Sequence, residues 1–322
     1  MHSRPAPISH AVFDTMCGTD ATLERFVWLG DGMAAAIWQR DTREALTVYD
    51  RPGHHTLSCY LGGGYRTERS GMHRQYGAPL RLCTLPDDHE SEWVVRDHLR
   101  LLHVYFMPAH FTRRAVVELD REPREITLAD RTYFESPALL RLCQSLIATP
   151  WEDTDNLLRA NEITHDTLSE LLRSQGVPRR ELRLKGGLAP LLRRRLADYI
   201  DANLTQPITL GTLAQVACLS EFHLARMFRV SFGMPPSAWI AQRRLEQART
   251  LLKTTALPLQ QVADLCGYAD LSHFGHRFRA ATGTSPRRYR QAMAPGTGFL
   301  TADTSHSSLQ RTGCTPARQR PP

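Results

Sequence analysis

The chain has 322 residues, 42% of them hydrophobic and 23% charged, with a formal net charge of +7. That length suits two domains and a tail, and that balance is the composition of an ordinary soluble globular protein. No stretch approaches the roughly eighteen apolar residues of a membrane span. The first residues lack the basic-then-apolar pattern of a secretory signal, and seven cysteines without Cys-x-x-Cys spacing offer neither a zinc site nor a disulfide framework. A reducing, cytoplasmic setting is expected. The charge is uneven: residues 187–291 hold fourteen Arg and Lys against six Asp and Glu, a net of +8 that leaves −1 for the remainder. A segregated basic segment predicts a phosphate-binding surface.

Residues 10–130 read as β structure. The apolar runs Met33–Trp38, Thr56–Leu61, Leu80–Leu85, Trp93–Val95, Leu99–Phe106 and Ala115–Leu119 alternate with turn signals such as Gly62-Gly63-Gly64 and Pro86-Asp87-Asp88. Many short strands punctuated this way predict a sandwich or barrel. Trp38, Tyr60, Trp93 and Tyr105 are candidates to line a ligand pocket, although core packing accounts for each of them as well. His54 and His55, being adjacent, point to opposite faces of a strand. His89, His98, His103 and His110 are scattered, so no metal site and no cofactor are expected.

From Pro137 to Gly176 the pattern turns helical. Leu139, Leu140, Leu142, Leu146 and Ile147 precede a break at Pro150, and Leu157, Leu158, Ile163, Leu168, Leu171 and Leu172 follow it. Residues 177–187, with Pro178 and Gly186-Gly187, read as a linker. Residues 294–322, rich in Pro, Thr, Ser and Gly, are expected to be disordered.

Residues 188–291 carry the most specific signal. A helix from Leu191 to Leu204 turns Leu192, Leu196, Tyr199 and Ile200 inward. Two copies of one pattern follow, at about 210–232 and 259–282. Each opens with a short apolar helix, the first capped by Thr209 and the second entered through Pro258. A tight break comes next, at Cys218-Leu219-Ser220 and at Gly267-Tyr268-Ala269-Asp270; glycine suits a left-handed turn residue and cysteine suits it less. Ser220 and Asp270 then cap second helices whose inward stripes are Leu224, Met227 and Phe228, and Phe274, Phe278 and Ala281. Both copies close on the same block: Phe228-Arg229, Gly233, Pro236 and Trp239 recur as Phe278-Arg279, Gly283, Pro286 and Tyr289, at a constant offset of 50. Repetition in one register marks a duplicated unit, and the unit reads as a helix-turn-helix. Between the copies a helix from Pro236 to about Leu252 buries Trp239, Ala241, Leu245, Ala248 and Leu252 and keeps Arg243, Arg244 and Arg249 wet. Such a strut, roughly 24 Å long, would set two reading helices about one DNA turn apart.

The free face of the first second-position helix offers Phe222, Ala225, Arg226 and Arg229. That of the second offers Leu271, Ser272, His273, His276 and Arg279. Arginine reads guanine bidentately and apolar groups meet the thymine methyl, so these are candidate DNA-contacting residues. Arg229, Arg279 and Arg287 are assigned to phosphate.

These features, together with Arg244-Leu245, Ala248, Leu251-Leu252, Ser272-His273-Phe274 and Tyr289-Arg290, resemble the AraC/XylS-type DNA-binding domain over about a third of the chain. The resemblance implies an all-α double helix-turn-helix domain whose base-contacting positions fall on Phe222, Ala225 and Arg226, and on Leu271, Ser272, His273 and His276. Ala225 departs from the longer polar side chains common there and offers only a methyl. The resemblance also implies a cupin-like β-barrel over 10–130 that senses a small molecule, and helices over 137–176 that carry homodimer contacts. The whole would be an α+β multidomain regulator of transcription, more often an activator, with double-stranded DNA and RNA polymerase as partners, no membrane and no catalysis. The competing readings are a DNA-repair alkyl acceptor, which needs a zinc-bound Cys cluster or a Pro-Cys-His-Arg site absent here, and a β-barrel enzyme with an appended reader, which lacks its metal ligands.

Overall fold

The computed structural model describes residues 10–30, 32–72, 74–178 and 186–293. The expected tail, 294–322, and most of the expected linker lie outside those residues. After a short helix α1 (Ala11–Cys17), the first half is one antiparallel sheet: β1 (Thr22–Gly30), β2 (Met33–Asp50), β3 (His55–Gly63), β4 (Glu68–Arg69), β5 (Leu82–Leu85), β6 (Glu90–Phe106) and, after an intervening helix and strand, β8 (Arg131–Phe134). The strand order is β1-β2-β6-β3-β5-β8, with β4 paired to β6. The expectation of a closed cupin-like barrel is not met: β1 and β8 end the path and do not pair with each other.

β2 and β6 dominate. They pair from Ala34↔Tyr105 to Asp50↔Glu90, interrupted by a bulge between Thr42 and Ala45. The sequence shows only their apolar ends, because the polar stretches Asp41–Glu44 and Arg96–His98 break the alternation where the strands bend. Asp97 sits there at φ 62, and bulges bend strands in this way. In β2, Met33 to Trp38 are all buried, since both faces are covered. Met33, Ala35 and Ile37 face one core with Leu57, Leu102, Phe111, Leu139 and Leu168. Ala34, Ala36 and Trp38 face a second core with Tyr60, Trp93, Leu101, Tyr105 and α1.

Ala115–Leu119, expected as a strand, belongs to helix α2 (Pro108–Leu119). Pro108 favours a helical first turn, and Phe111 and Ala115 share one face buried against the sheet; a five-residue window is too short to separate the two periods. Strand β7 (Ile126–Leu128) follows. Helices α3 (Pro137–Ala148) and α4 (Thr154–Gln175) then appear on either side of the Pro150 break, capped by Ser136 and Asp153. The start of the expected linker is ordered as β9 (Gly176–Pro178), paired antiparallel to β7.

The C-terminal half is all helix: α5 (Pro190–Ala202), α6 (Leu210–Ala217), α7 (Glu221–Phe232), α8 (Pro236–Thr254), α9 (Leu259–Leu265), α10 (Leu271–Thr282) and α11 (Pro286–Met293). Two apolar cores divide it, one around Leu196, Leu224, Phe228 and Trp239, the other around Leu252, Phe274, Phe278 and Tyr289.

Candidate nucleic-acid interface

The expected caps form. Thr209 accepts from Thr212 N at 3.0 Å, Ser220 from His223 N at 3.3 Å and Asp270 from His273 N at 2.7 Å. Each satisfies a backbone donor that a helix start leaves unpaired, so α7 and α10 have fixed origins. Between α6 and α7 the chain reverses through Cys218 at φ 54, ψ 42, a left-handed conformation. The equivalent residue between α9 and α10 is Gly267 at φ 70, where a Cβ would lie 2.0 Å from the Leu204 carbonyl oxygen.

The repeated block explains how each reading helix ends. Gly233 and Gly283 terminate α7 and α10 at φ 73 and φ 77, the usual glycine stop. Buried Pro236 and Pro286 start the next helices. Trp239 then packs edge-on against Phe232 at 4.8 Å, and Tyr289 against Phe278 at 5.2 Å. The block is a stop, a start and an aromatic anchor. Of its side chains, Arg229 and Arg279 face outward near the helix ends.

Leu224, Met227 and Phe228 are buried on α7, and Phe274 and Phe278 on α10; Ala281 is only half-buried. The opposite faces are open. Phe222 is 81% exposed, Arg226 and Arg229 are exposed beside it, and Ala225 is half-buried. On α10, Leu271, Ser272, His273, His276 and Arg279 are exposed, the His273 ring leaning edge-on toward Tyr268 at 5.7 Å. Arg287 is exposed on α11. The Phe222 ring therefore contributes little to the core and stands on the same outward face as Arg226. One residue on the α10 reading side was missed from sequence: Gly275, which the 50-residue offset places on Ala225.

The basic segment divides its charge between two tasks. Arg193 donates to the Asp120 carbonyl at 2.7 Å and lies 3.5 Å from Glu122; Arg194 lies 3.7 Å from Asp120. Lys253 pairs with Glu162 at 2.5 Å and Arg288 with Asp155 at 3.1 Å. Arg113 reaches back from α2 to Glu246 at 3.0 Å. These pairs join the sheet domain to the helical one. Arg249, expected to be wet, is instead buried, its Nη1 3.1 Å from His165 Nε2, while Arg114 meets His165 Nδ1 at 2.9 Å. Burial, with Arg113 and Arg249 nearby, lowers the Arg114 guanidinium to about 10. Burial pushes the Glu162 carboxyl up, but Lys253 and the donating Tyr289 hydroxyl outweigh it and hold it below the usual carboxylate range. Among the described residues, Arg226, Arg229, Arg279 and Arg287 have no such acidic partner.

Apolar contacts reinforce the joint. Val116 of α2 enters the core of the first unit and Leu158 of α4 that of the second. The sheet domain thus packs against both units and leaves the outward faces of α7 and α10 uncovered.

The second sheet core holds a small cavity of about 40 Å³ lined by Arg40, Tyr49, Tyr60, Trp93 and His103 among others. Of the four aromatic candidates, Tyr60 and Trp93 line it; Trp38 and Tyr105 lie in the same core, bonded Nε1 to hydroxyl at 2.9 Å. His54 packs against Tyr105, and His55 against Phe106 and Phe111, on opposite sides of the sheet. No helix among the described residues is long and apolar enough to cross a membrane.

Two N-capped helices, each after a tight turn and joined by a nineteen-residue helix, define a double helix-turn-helix domain. Comparison with known proteins agrees. Residues 213–292 match the helix-turn-helix domain family. The chain is 34% identical over 93 residues to a probable transcriptional regulator, LumQ, of Photobacterium leiognathi, covering 29% of this chain and 38% of that protein. It is 33% identical over 98 residues to the arabinose operon regulatory protein of Escherichia coli, covering 30% and 34%. A solved structure, a probable AraC family transcriptional regulator from Rhodopseudomonas palustris, is 31% identical over 32% of this chain and 96% of its own, with a TM-score of 0.29. The C-terminal domain is of the AraC type. The match spans well under half of the two curated relatives' own length.

Proposed function

We propose that this protein is a sequence-specific transcriptional regulator that reads double-stranded DNA with α7 and α10. The observation that carries the reading is the pair of exposed, N-capped helix faces in a duplicated unit, each flanked by arginines without an acidic partner. Phe222, Ala225 and Arg226 read one half-site and Leu271, Ser272, His273 and His276 the other, while Arg229, Arg279 and Arg287 meet phosphate. The sheet domain senses a small molecule and, through α2 and α4, transmits its state to both units. The chain acts in the cytoplasm as a homodimer and activates transcription through RNA polymerase.

The test is selection of duplexes from a random pool by the full chain, followed by titration of the retained duplex across salt. Three phosphate-bound arginines at about −0.9 each predict a slope of log affinity against log salt near −3. Retention of no duplex, or binding indifferent to salt, would rule the reading out.

A further inference from the structure

Gly275 stands inside α10, and the fold gives no reason for a glycine there. A Cβ built on it meets nothing within 4 Å, and its φ lies outside the left-handed region. Gly267, by contrast, is required by both its φ and the Leu204 carbonyl. A glycine weakens a helix interior more than any residue except proline, so the missing side chain at 275 costs the fold and returns nothing to it.

Its neighbours say what the space faces. Phe274 and Phe278 point inward with no exposure. Leu271, one turn earlier, is 41% exposed, and Ser272, His276 and Arg279 are exposed alongside. The outward side of α10 is therefore open at Gly275: only helix backbone stands there, with Leu271 one turn earlier and Ser272 and His276 at neighbouring positions of the same side. In the major groove the apolar group that protrudes toward a docked helix is the thymine methyl.

We propose that Gly275 is a specificity-determining residue, forming with Leu271 the apolar seat of a thymine methyl beneath the second reading helix. The inference rests on the DNA-reading function above. An alanine at 275 would put its own methyl where the thymine methyl sits.

The experiment uses full-length wild-type and Gly275→Ala chains and the duplex that wild type retains from a random pool. Each chain is titrated against that duplex and against versions in which deoxyuridine replaces each thymine in turn, removing a methyl and preserving the pairing. Wild type should lose about four-fold at one thymine, the value of one buried methyl-sized group. Gly275→Ala should bind the parent duplex about ten-fold more weakly and recover part of the loss when that same thymine becomes deoxyuridine. Its melting temperature should rise by a few degrees, because alanine strengthens the helix; weaker binding with greater stability separates a recognition role from a folding one. Coincident deoxyuridine profiles, a loss of affinity that no deoxyuridine relieves, or a lowered melting temperature overturns the assignment while leaving DNA reading intact. Retention of no duplex by wild type overturns the DNA-reading proposal and this inference together.

Discussion

At Cys218 and Gly267 the same left-handed backbone is occupied by residues of opposite suitability. Cysteine pays the steric penalty of a Cβ facing the next carbonyl, of order 1 kcal/mol, and its side chain is exposed. Cys218→Gly should therefore raise stability by about 1 kcal/mol, read as a higher urea midpoint with unchanged slope. Gly267→Ala should do the reverse and cost more, since the added methyl would collide with the Leu204 carbonyl that Arg244 holds at 3.0 Å. Equal effects of the two changes would contradict this account of the turns. Arg226 and Arg279 invite a similar contrast. Arg226 lies with Phe222 on the outward face of α7, so Arg226→Ala should relax preference at one base pair by roughly 1–3 kcal/mol. Arg279 follows inward Phe278 in the last turn of α10, so its loss should weaken all sequences alike. Affinities across a full set of single-base variants would separate the two, and equal loss of specificity in both would reverse the assignment.

Among the elements, the sheet holds a group of rings whose protonation opposes folding. His10 lies stacked at 5.7 Å from Trp28 and 5.4 Å from Tyr105. His103 on β6 is buried with its Nδ1 3.1 Å from the Tyr105 hydroxyl. Burial, with His54 nearby, lowers His10 to about 4 and His103 to about 3 from an ordinary 6.5. The unfolded chain binds protons on these rings below about pH 6.5 and the folded chain does not, so their contribution is fully present above that pH. It is lost as pH falls from 6.5 toward 4, at about 2 kcal/mol per ring by pH 5. Fluorescence-detected unfolding between pH 7 and 5 should show the loss, and His103→Phe should flatten it; a wild-type sheet domain indifferent to pH in that window would refute the argument. The elements of the helical half were far more legible in advance than those of the sheet. Caps, a glycine stop, a proline start and an apolar stripe all lie within about a dozen residues, whereas β2 and β6 owe their length to each other, and Arg43 or Asp97 read alone looks like a turn.

For the molecule as a whole, the charge asymmetry between the halves is partly internal. Asp120, Glu122, Asp155 and Glu162 of the sheet domain take up Arg193, Arg194, Arg288 and Lys253. Glu162 bridges two elements of the second unit, through Lys253 on α8 and Tyr289 on α11. Glu162→Ala should loosen that unit by about 1–2 kcal/mol and leave the first unit, held at Asp120 and Glu122, in place. Hydrogen exchange should then quicken in α9 to α11 and not in α6 and α7; uniform acceleration would show that the joint does not act on the units separately. Val116 of α2 packs into the first unit and Leu158 of α4 into the second, so each unit is anchored to a different helix of the sheet domain.

The sequence by itself determined the duplicated helix-turn-helix, because helix caps, left-handed glycines and apolar spacing act over a few residues and need no distant partner. It also placed Arg226, His276 and their neighbours on outward faces, since helical period alone fixes which side Phe228 and Phe278 must bury. What covers an apolar face, or answers a charge, is a matter of neighbours far along the chain. The turning of α4 toward the reader, the burial of Arg249 against His165 eighty-four residues away, and the sheet that stays open between β1 and β8 were decided only by tertiary packing.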